Sequence, residues 1–246
     1  MDEMIVFDSV DRRFGDNYAL KKVSFEVKKG EIFGFIGPNG AGKTTTINLI
    51  SCLLNPSSGM ILINGRDTVK ESLEIRRKIG LIPEQPYLYE KLTGREVLWF
   101  VGRIFGLSKD EIEEHSKKLC KDFDLETKID ELVESYSHGM KQKLVISAAL
   151  IHNPELLVVD EPMVGLDPKS AKLVREIFRE KTRNDGCTVF ISTHTLELAE
   201  SICDRIAVIN KGEIVTIGSM DELREATGQV GEKLEEIFLK LVHEEI

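Results

Sequence analysis

Cysteine, tryptophan and long apolar runs are all scarce in this 246-residue chain. Its 4 cysteines, Cys52, Cys120, Cys187 and Cys203, are scattered with no C-x-x-C pair, so no disulfide framework is expected. They are read as reduced thiols of a cytoplasmic protein. No apolar run approaches the roughly 18–20 residues needed to span a bilayer. The start, Met1-Asp2-Glu3, is acidic and lacks the basic-then-apolar pattern of a secretory leader. Positive charge is also in deficit: 33 Lys and Arg stand against 42 Asp and Glu, a net charge of -9. That balance argues against broad nucleic-acid binding, which depends on neutralising phosphates with basic side chains. A small anionic ligand is still allowed, because it needs only local positive charge.

What is present suits a packed interior. The chain is 41% hydrophobic and 30% charged, long enough for one large domain or two small ones, with no low-complexity tract or internal repeat. "MIVFDSV" and "KKVSFEV" alternate apolar with polar, and "EIFGFIG" is a short apolar run closed by glycine, so the first 36 residues read as strands. A helix is predicted from Lys43 to about Leu54, ended by the turn signal "NPSSG", with strands following at "MILING" and "KIGLIP". From about Glu84 to Asn153 the pattern turns helical. Strand-type runs return at "ELLVVD", "CTVFIS" and "RIAVINKGEIVTIG", separated by the helical patterns "PKSAKLVREIFREKTRND" and "TLELAESICD". This alternation predicts an α/β core with an inserted helical segment. In the tail, Leu234, Ile237, Phe238, Leu241 and Val242 share one helical face, which predicts docking against the protein's own core or against a partner.

The stretch "GPNGAGKTT", Gly37-Pro38-Asn39-Gly40-Ala41-Gly42-Lys43-Thr44-Thr45, fits G-x-x-x-x-G-K-[ST] between an apolar strand and a helix. Glycines there let the backbone curl so that its N–H groups point inward, and the helix N-terminus adds a positive field. Lys43 is placed to reach the β- and γ-phosphates of a nucleotide, and the Thr44 hydroxyl to ligate Mg2+.

"LLVVDEP" is an apolar strand that ends in adjacent acids. In a phosphate-loop protein, Asp160 would hold Mg2+ through its waters, and Glu161 would orient or deprotonate the attacking water. Side chains of neighbouring strand residues diverge, so the two carboxylates can serve metal and water separately. "ISTH" ends the next apolar run at His194, where a polar side chain faces the ligand crevice of a parallel sheet.

"YSHGMKQKL" opens a helix with Ser137, His138, Gly139 and Met140 and then places Lys141 and Lys143 near its start. Basic residues there oppose the helix dipole unless an anion sits opposite. Together these motifs resemble the ATP-binding subunit of an ABC transporter, from Ile5 to about Ser219. "YSHGMKQKL" is similar to that family's signature, usually of the type L-S-G-G-Q, with His138 in place of the first glycine and Met140 in place of the glutamine.

The resemblance implies a phosphate-loop core of the RecA type with a mixed sheet, an antiparallel β subdomain at the N-terminus and an inserted helical subdomain. Residues 1–83 and 154–219 would form the core, 84–153 the helical subdomain and 220–246 a helical tail. It implies ATP and Mg2+ as ligands. ATP would be clasped between two copies, or between this chain and a homologous subunit, with Ser137, His138, Gly139 and Met140 of one copy facing the γ-phosphate bound to the other. Lys141 and Lys143 would add positive potential. Phe14 falls where the family stacks an aromatic on adenine, with Tyr18 as the fallback, and Asp167 falls in the loop that links the two sites. The family's γ-phosphate-sensing glutamine aligns with Glu84, and Gln85 stands one position later; either would face metal or water.

"PEQPYLYEKLT" would line a groove that receives a helix of a separate transmembrane permease. That would place the chain peripherally on the cytoplasmic face of the membrane, without nucleic acid, and the wording of the motifs leans towards export. The rival is a soluble ATPase of the same family that works on nucleic acid or ribosomes. Such proteins fuse two ATP-binding units or insert a long coiled coil, and neither is present between Lys43 and Ser137. A phosphate-loop kinase or switch GTPase leaves the signature, the paired acids and His194 unexplained, and there is no N-K-x-D pattern.

Overall fold

A computed structural model describes residues 2–85, 87–163 and 165–226. Two long strands, β1 (Glu3–Phe14) and β2 (Asn17–Lys28), pair antiparallel around a turn at Gly15, which has φ 60°. Each runs to 12 residues, well beyond the alternating segments visible in sequence. Ser9 and Lys22 explain the difference: with φ of 50° and 46° they sit at irregularities that reset the in–out alternation partway along. β4 (Ser58–Ile63) adds to β1, and the two-residue β5 (Arg66–Asp67) completes an antiparallel sheet in the order β2-β1-β4-β5.

The second sheet runs β10-β9-β3-β8-β7-β6. Its members are β3 (Ile32–Ile36), β6 (Ile79–Ile82), β7 (Leu156–Asp160), β8 (Thr188–Thr193), β9 (Arg205–Asn210) and β10 (Glu213–Gly218). All neighbours are parallel except β9 and β10. β3, β7 and β8 are buried along their whole length, as strands covered on both faces must be, so they read as continuous apolar runs. A group of phenylalanines packs where the sheets meet. Phe25 stacks on Phe7 at 4.5 Å and on Phe33 at 5.8 Å, and Phe33 stacks on Phe190 at 6.0 Å.

The helices are α1 (Lys43–Ile50), α2 (Ser72–Arg76), α3 (Gly94–Ile104), α4 (Lys109–Asp122), α5 (His138–Leu150), α6 (Pro168–Asp185), α7 (Leu196–Ile202) and α8 (Met220–Ala226). Helix α1 ends four residues before the sequence suggests. Cys52 takes φ 55°, and the Leu53 and Leu54 amides both donate back to the Asn48 carbonyl, which closes the last turn. Thr93 with Glu96 and Ser108 with Glu111 form capping boxes that start α3 and α4. The three helices between β6 and β7 do not bury a core of their own. Leu98, Phe123, Leu144 and Ile146 pack in one cluster with Leu157, Val159 and Ile191 of the parallel sheet. The apolar stripe from Leu234 to Val242 lies outside the described residues.

Candidate functional site

The phosphate loop, Glu84, Asp160, Glu161 and His194 follow the carboxyl ends of β3, β6, β7 and β8, whereas Phe14 ends β1, Ser137 opens α5 and Asp167 opens α6. The loop after β3 is fixed by backbone crowding. A Cβ on Gly37 would lie 2.3 Å from the Ile209 carbonyl oxygen, so only glycine fits. Gly42, with φ 111°, caps α1 without a side-chain bond and sits against Ala19 and Leu20 of β2. Gly212 stitches three segments together: its amide donates to the Ala41 carbonyl at 3.0 Å, and its carbonyl accepts from Lys21 at 2.8 Å. Ala41 is buried, Thr45 is half-buried, and Asn39, Gly40 and Thr44 face outward at the mouth of the loop.

Lys43 is buried, and its ammonium donates to the carbonyls of Gly37 at 2.8 Å and Pro38 at 3.2 Å. It is thus held inside the curl of its own loop rather than stretched into solvent. Burial pushes its pKa below the usual lysine value, against the upward pull of Glu161, Asp160 and Glu84.

The Thr44 hydroxyl faces Asp160 Oδ2 at 3.4 Å, although the two residues are far apart in sequence. A hydroxyl beside a buried carboxylate is a hard-oxygen pair of the kind Mg2+ takes. Among the described residues no group of three or more His, Cys, Asp or Glu could hold a metal. A cation here would complete its shell with phosphate oxygens and water, which is the habit of Mg2+. Burial pushes the Asp160 carboxyl above its ordinary range.

Glu161 leaves the strand with φ 47°, a left-handed conformation that is costly for a residue with a side chain. The kink, rather than simple strand alternation, separates its carboxylate from that of Asp160. Oε2 accepts from the Thr193 hydroxyl at 2.8 Å, and Oε1 accepts from the His194 amide at 2.8 Å with His194 Nδ1 at 2.6 Å. Sequence reasoning misses Thr193. Its signal is a buried hydroxyl directly before His194, at the end of the strand whose apolar centre is Val189, Phe190 and Ile191.

Glu84 and Gln85 are both exposed on the loop after β6. The Gln85 side-chain carbonyl accepts from the Tyr87 hydroxyl at 3.5 Å, whereas Glu84 acts electrostatically on both Lys43 and Asp160. Phe14 ends β1 and is 49% exposed, with the Arg12 guanidinium 4.5 Å from its ring centre, so one cation-backed aromatic face is open for stacking. The neighbouring candidate, Tyr18, carries the Arg13 guanidinium on its ring and on its hydroxyl.

Ser137 is the N-cap of α5, accepting from the Met140 amide at 3.3 Å, and both Ser137 and His138 are exposed. The His138 ring lies on Gly165, where a Cβ would meet Nε2 at 2.3 Å; Gly139 faces Leu166. One expectation, that of free positive charge at the helix start, needs correction. Lys141 is bound to Glu90 at 2.5 Å, so it adds no free positive potential to the helix start. Asp167 caps α6 through the Lys169 and Ser170 amides and accepts from the Ser170 hydroxyl at 2.6 Å, so its carboxylate is occupied within its own chain.

A separate groove of about 380 Å³ opens between the sheet edge and the helices, lined by Leu81, Pro83, Tyr87, Tyr89, Phe100 and Phe105 among others. Tyr87 is 81% exposed and Tyr89 69% exposed, a large apolar face for a protein surface.

A glycine loop closing on a buried lysine, with paired acids on the next strand but one, defines a phosphate-loop nucleotide hydrolase. The chain belongs to the ABC transporter family, whose pattern matches residues 20–164. It is 39% identical over 220 residues to the linearmycin resistance ATP-binding protein LnrL of Bacillus subtilis (strain 168), covering 89% of this chain and 70% of that one. Among solved structures, an ATP-binding subunit of an ABC transporter superposes with a TM-score of 0.91 at 35% identity, covering 97% of this chain and 99% of the other. The dimeric ATP-binding cassette MJ0796, bound to ADP and phosphate after hydrolysis, superposes with a TM-score of 0.80 at 30% identity, covering 88% and 99%. The chain is an ATP-binding and ATP-hydrolysing subunit of an ABC transporter. Nothing favours the rival reading of a nucleic-acid or ribosome ATPase.

Proposed function

We propose that two copies of this chain, or this chain and a homologous subunit, close around two ATP molecules and by doing so drive a separate transmembrane permease. The observation that carries this reading is the exposed, serine-capped start of α5: a helix terminus with outward amide groups and no anion of its own. Ser137, His138, Gly139 and Met140 of one copy would face the γ-phosphate lying on the loop of the other, with the Met140 amide passing from the Ser137 hydroxyl to the phosphate. Phe14 would stack on adenine, Lys43 would turn from the Gly37 and Pro38 carbonyls to the β- and γ-phosphates, and Glu161 would take the proton of the attacking water.

Thr44 and Asp160 would hold Mg2+, which when bound neutralises phosphate charge as it develops. His194 holds Glu161 in place through Nδ1–H and, with its ring protonated on both nitrogens, would donate from Nε2 to the γ-phosphate. Asp167, already committed to its cap, would shape the loop between the two sites without touching ATP itself. The apolar groove would receive a helical segment of the permease, which sets the chain on the cytoplasmic face of the membrane. The resistance function in the name of the linearmycin relative supports export as the direction.

Sedimentation of the Glu161→Gln protein tests the reading. With saturating Mg-ATP it should form dimers and without nucleotide it should not; a strictly monomeric protein under both conditions contradicts it.

A further inference from the structure

We infer that Arg12 is a positioning residue for the nucleobase: it holds Phe14 as a fixed, cation-backed platform and so sets the base-dependent share of nucleotide affinity. The inference rests on the stacking role proposed for Phe14 and adds a residue that stands behind the ring. Alternate residues of a strand share a face, so Arg12 and Phe14 lie on one side of β1 and Arg13 on the other. Arg13 accordingly meets Tyr18, its cross-strand partner, with its guanidinium 4.1 Å from that ring centre. The Arg12 guanidinium lies 4.5 Å from the centre of the Phe14 ring. Two adjacent arginines thus back two different rings. Tyr18 is engaged by Arg13 through its hydroxyl as well, whereas Phe14 is half-exposed.

Arg12 is itself held. Its Nη1 donates to the Asn55 carbonyl at 2.8 Å, in the turn that follows α1. The same turn is fastened to the end of β1 on either side of Arg12: the Arg13 amide donates to the Ser57 hydroxyl at 3.0 Å, and the Ser57 amide donates to the Asp11 carbonyl at 2.8 Å. The Arg12 Nε is buried without a hydrogen-bond partner, so that edge of the guanidinium has no water. A desolvated cation is attracted to an aromatic face more strongly than an exposed one. The Phe14 ring is therefore ordered before a nucleotide arrives, and a base that stacks on it need not order it. The cation also draws π density towards its own face, which leaves the outer face suited to an electron-rich purine.

Calorimetric titration in excess Mg2+, with ATP and, by competition, with inorganic tripolyphosphate, tests this on the wild type, Arg12→Met, Phe14→Ala and the double variant. Arg12→Met keeps the apolar stem and removes the cation. Its affinity for ATP should fall roughly three- to tenfold with that for tripolyphosphate unchanged, and in turnover the loss should appear in KM rather than in kcat. In the Phe14→Ala background the same change should have no further effect, because both residues act through one ring. Wild-type ATP affinity in Arg12→Met overturns the inference, as does an equal loss for tripolyphosphate or additive losses in the double variant. Phe14→Ala separates the two levels. If it binds ATP as the wild type does, the stacking role of Phe14 falls; if it loses ATP while Arg12→Met does not, only the role of Arg12 falls.

Discussion

His194 Nδ1 lies 2.6 Å from Glu161 Oε1, and the backbone amide of the same histidine donates to the same oxygen at 2.8 Å. An ionised carboxylate only accepts, so Nδ1 carries the proton and Nε2 is left as the ring nitrogen that can face a ligand. The histidine side chain is 57% exposed while that of Glu161 is 8% exposed. One residue therefore spans the buried base and the open crevice. Thr193 fixes the second carboxylate oxygen, which stabilises the left-handed backbone at Glu161, a conformation that costs about 1–3 kcal/mol.

Glu161→Gln should therefore separate binding from turnover. A glutamine oxygen can still accept from the His194 amide, so the pocket keeps its shape, but the general base is gone. ATP hydrolysis, followed as phosphate release, should fall by about 10²- to 10⁴-fold with nucleotide affinity kept. Hydrolysis at the wild-type rate would remove Glu161 from the base role.

Lys43→Ala should have opposite consequences for binding and for the empty protein. It removes the one cation of the loop, and hydrogen bonds to charged groups contribute about 1.5–3 kcal/mol each. ATP at concentrations that raise the melting temperature of the wild type should no longer do so, because the shift depends on affinity. The unliganded variant should melt no lower than the wild type by more than a few degrees, since the lost ammonium was a desolvated charge bonded only to two loop carbonyls. A thermal shift with ATP equal to that of the wild type would contradict the placement of Lys43 at the phosphates.

Legibility in the sequence tracks the range of each interaction. The phosphate loop and the Asp160-Glu161 strand end are local: glycine where no Cβ fits, apolar runs where both sheet faces are covered. The contact between Glu161 and His194 is not local. It exists because β7 and β8 pair with Asp160 opposite Ser192, and no short-range pattern encodes that register. The lengths of β1 and β2 are hidden for another reason, since Ser9 and Lys22 break the alternation on which strand reading depends. Lys141 and Asp167 look like free groups in the sequence because their partners, Glu90 and the α6 amides, become visible only when the loops are folded.

Stability should depend on pH through His152. Its ring stacks on Phe105 with centres 3.6 Å apart, and burial pushes its pKa down to about 4. The unfolded chain protonates this imidazole near its ordinary value of about 6.5, so the unfolded state binds more protons between those two pH values. The contribution is fully present above about pH 6.5 and is lost as pH falls towards 4, by up to about 3 kcal/mol. His152→Phe keeps the stacked ring and removes the titration. Urea unfolding at a series of pH values should show a shallower decline for the variant between pH 6.5 and 4. Identical slopes would mean that other groups set the acid sensitivity.

On the proposed docking of a permease helix in the groove, Phe100→Glu should weaken that docking while leaving the nucleotide chemistry intact. Phe100 lies 6.1 Å edge-on from Tyr89 and is 44% exposed on the groove wall, where its loss leaves the interior cluster untouched. A carboxylate there would be desolvated by any apolar helix seated in the groove, and aromatic anchors of such interfaces contribute about 2 kcal/mol or more, roughly thirtyfold in affinity. The variant should bind ATP with wild-type affinity and melt at the wild-type temperature. Isolated from detergent-solubilised native membranes, the wild type should carry a polytopic protein and the variant should not. Undiminished co-purification would move the permease contact away from this groove, and a loss of ATP affinity would show that the groove and the phosphate loop are not independent.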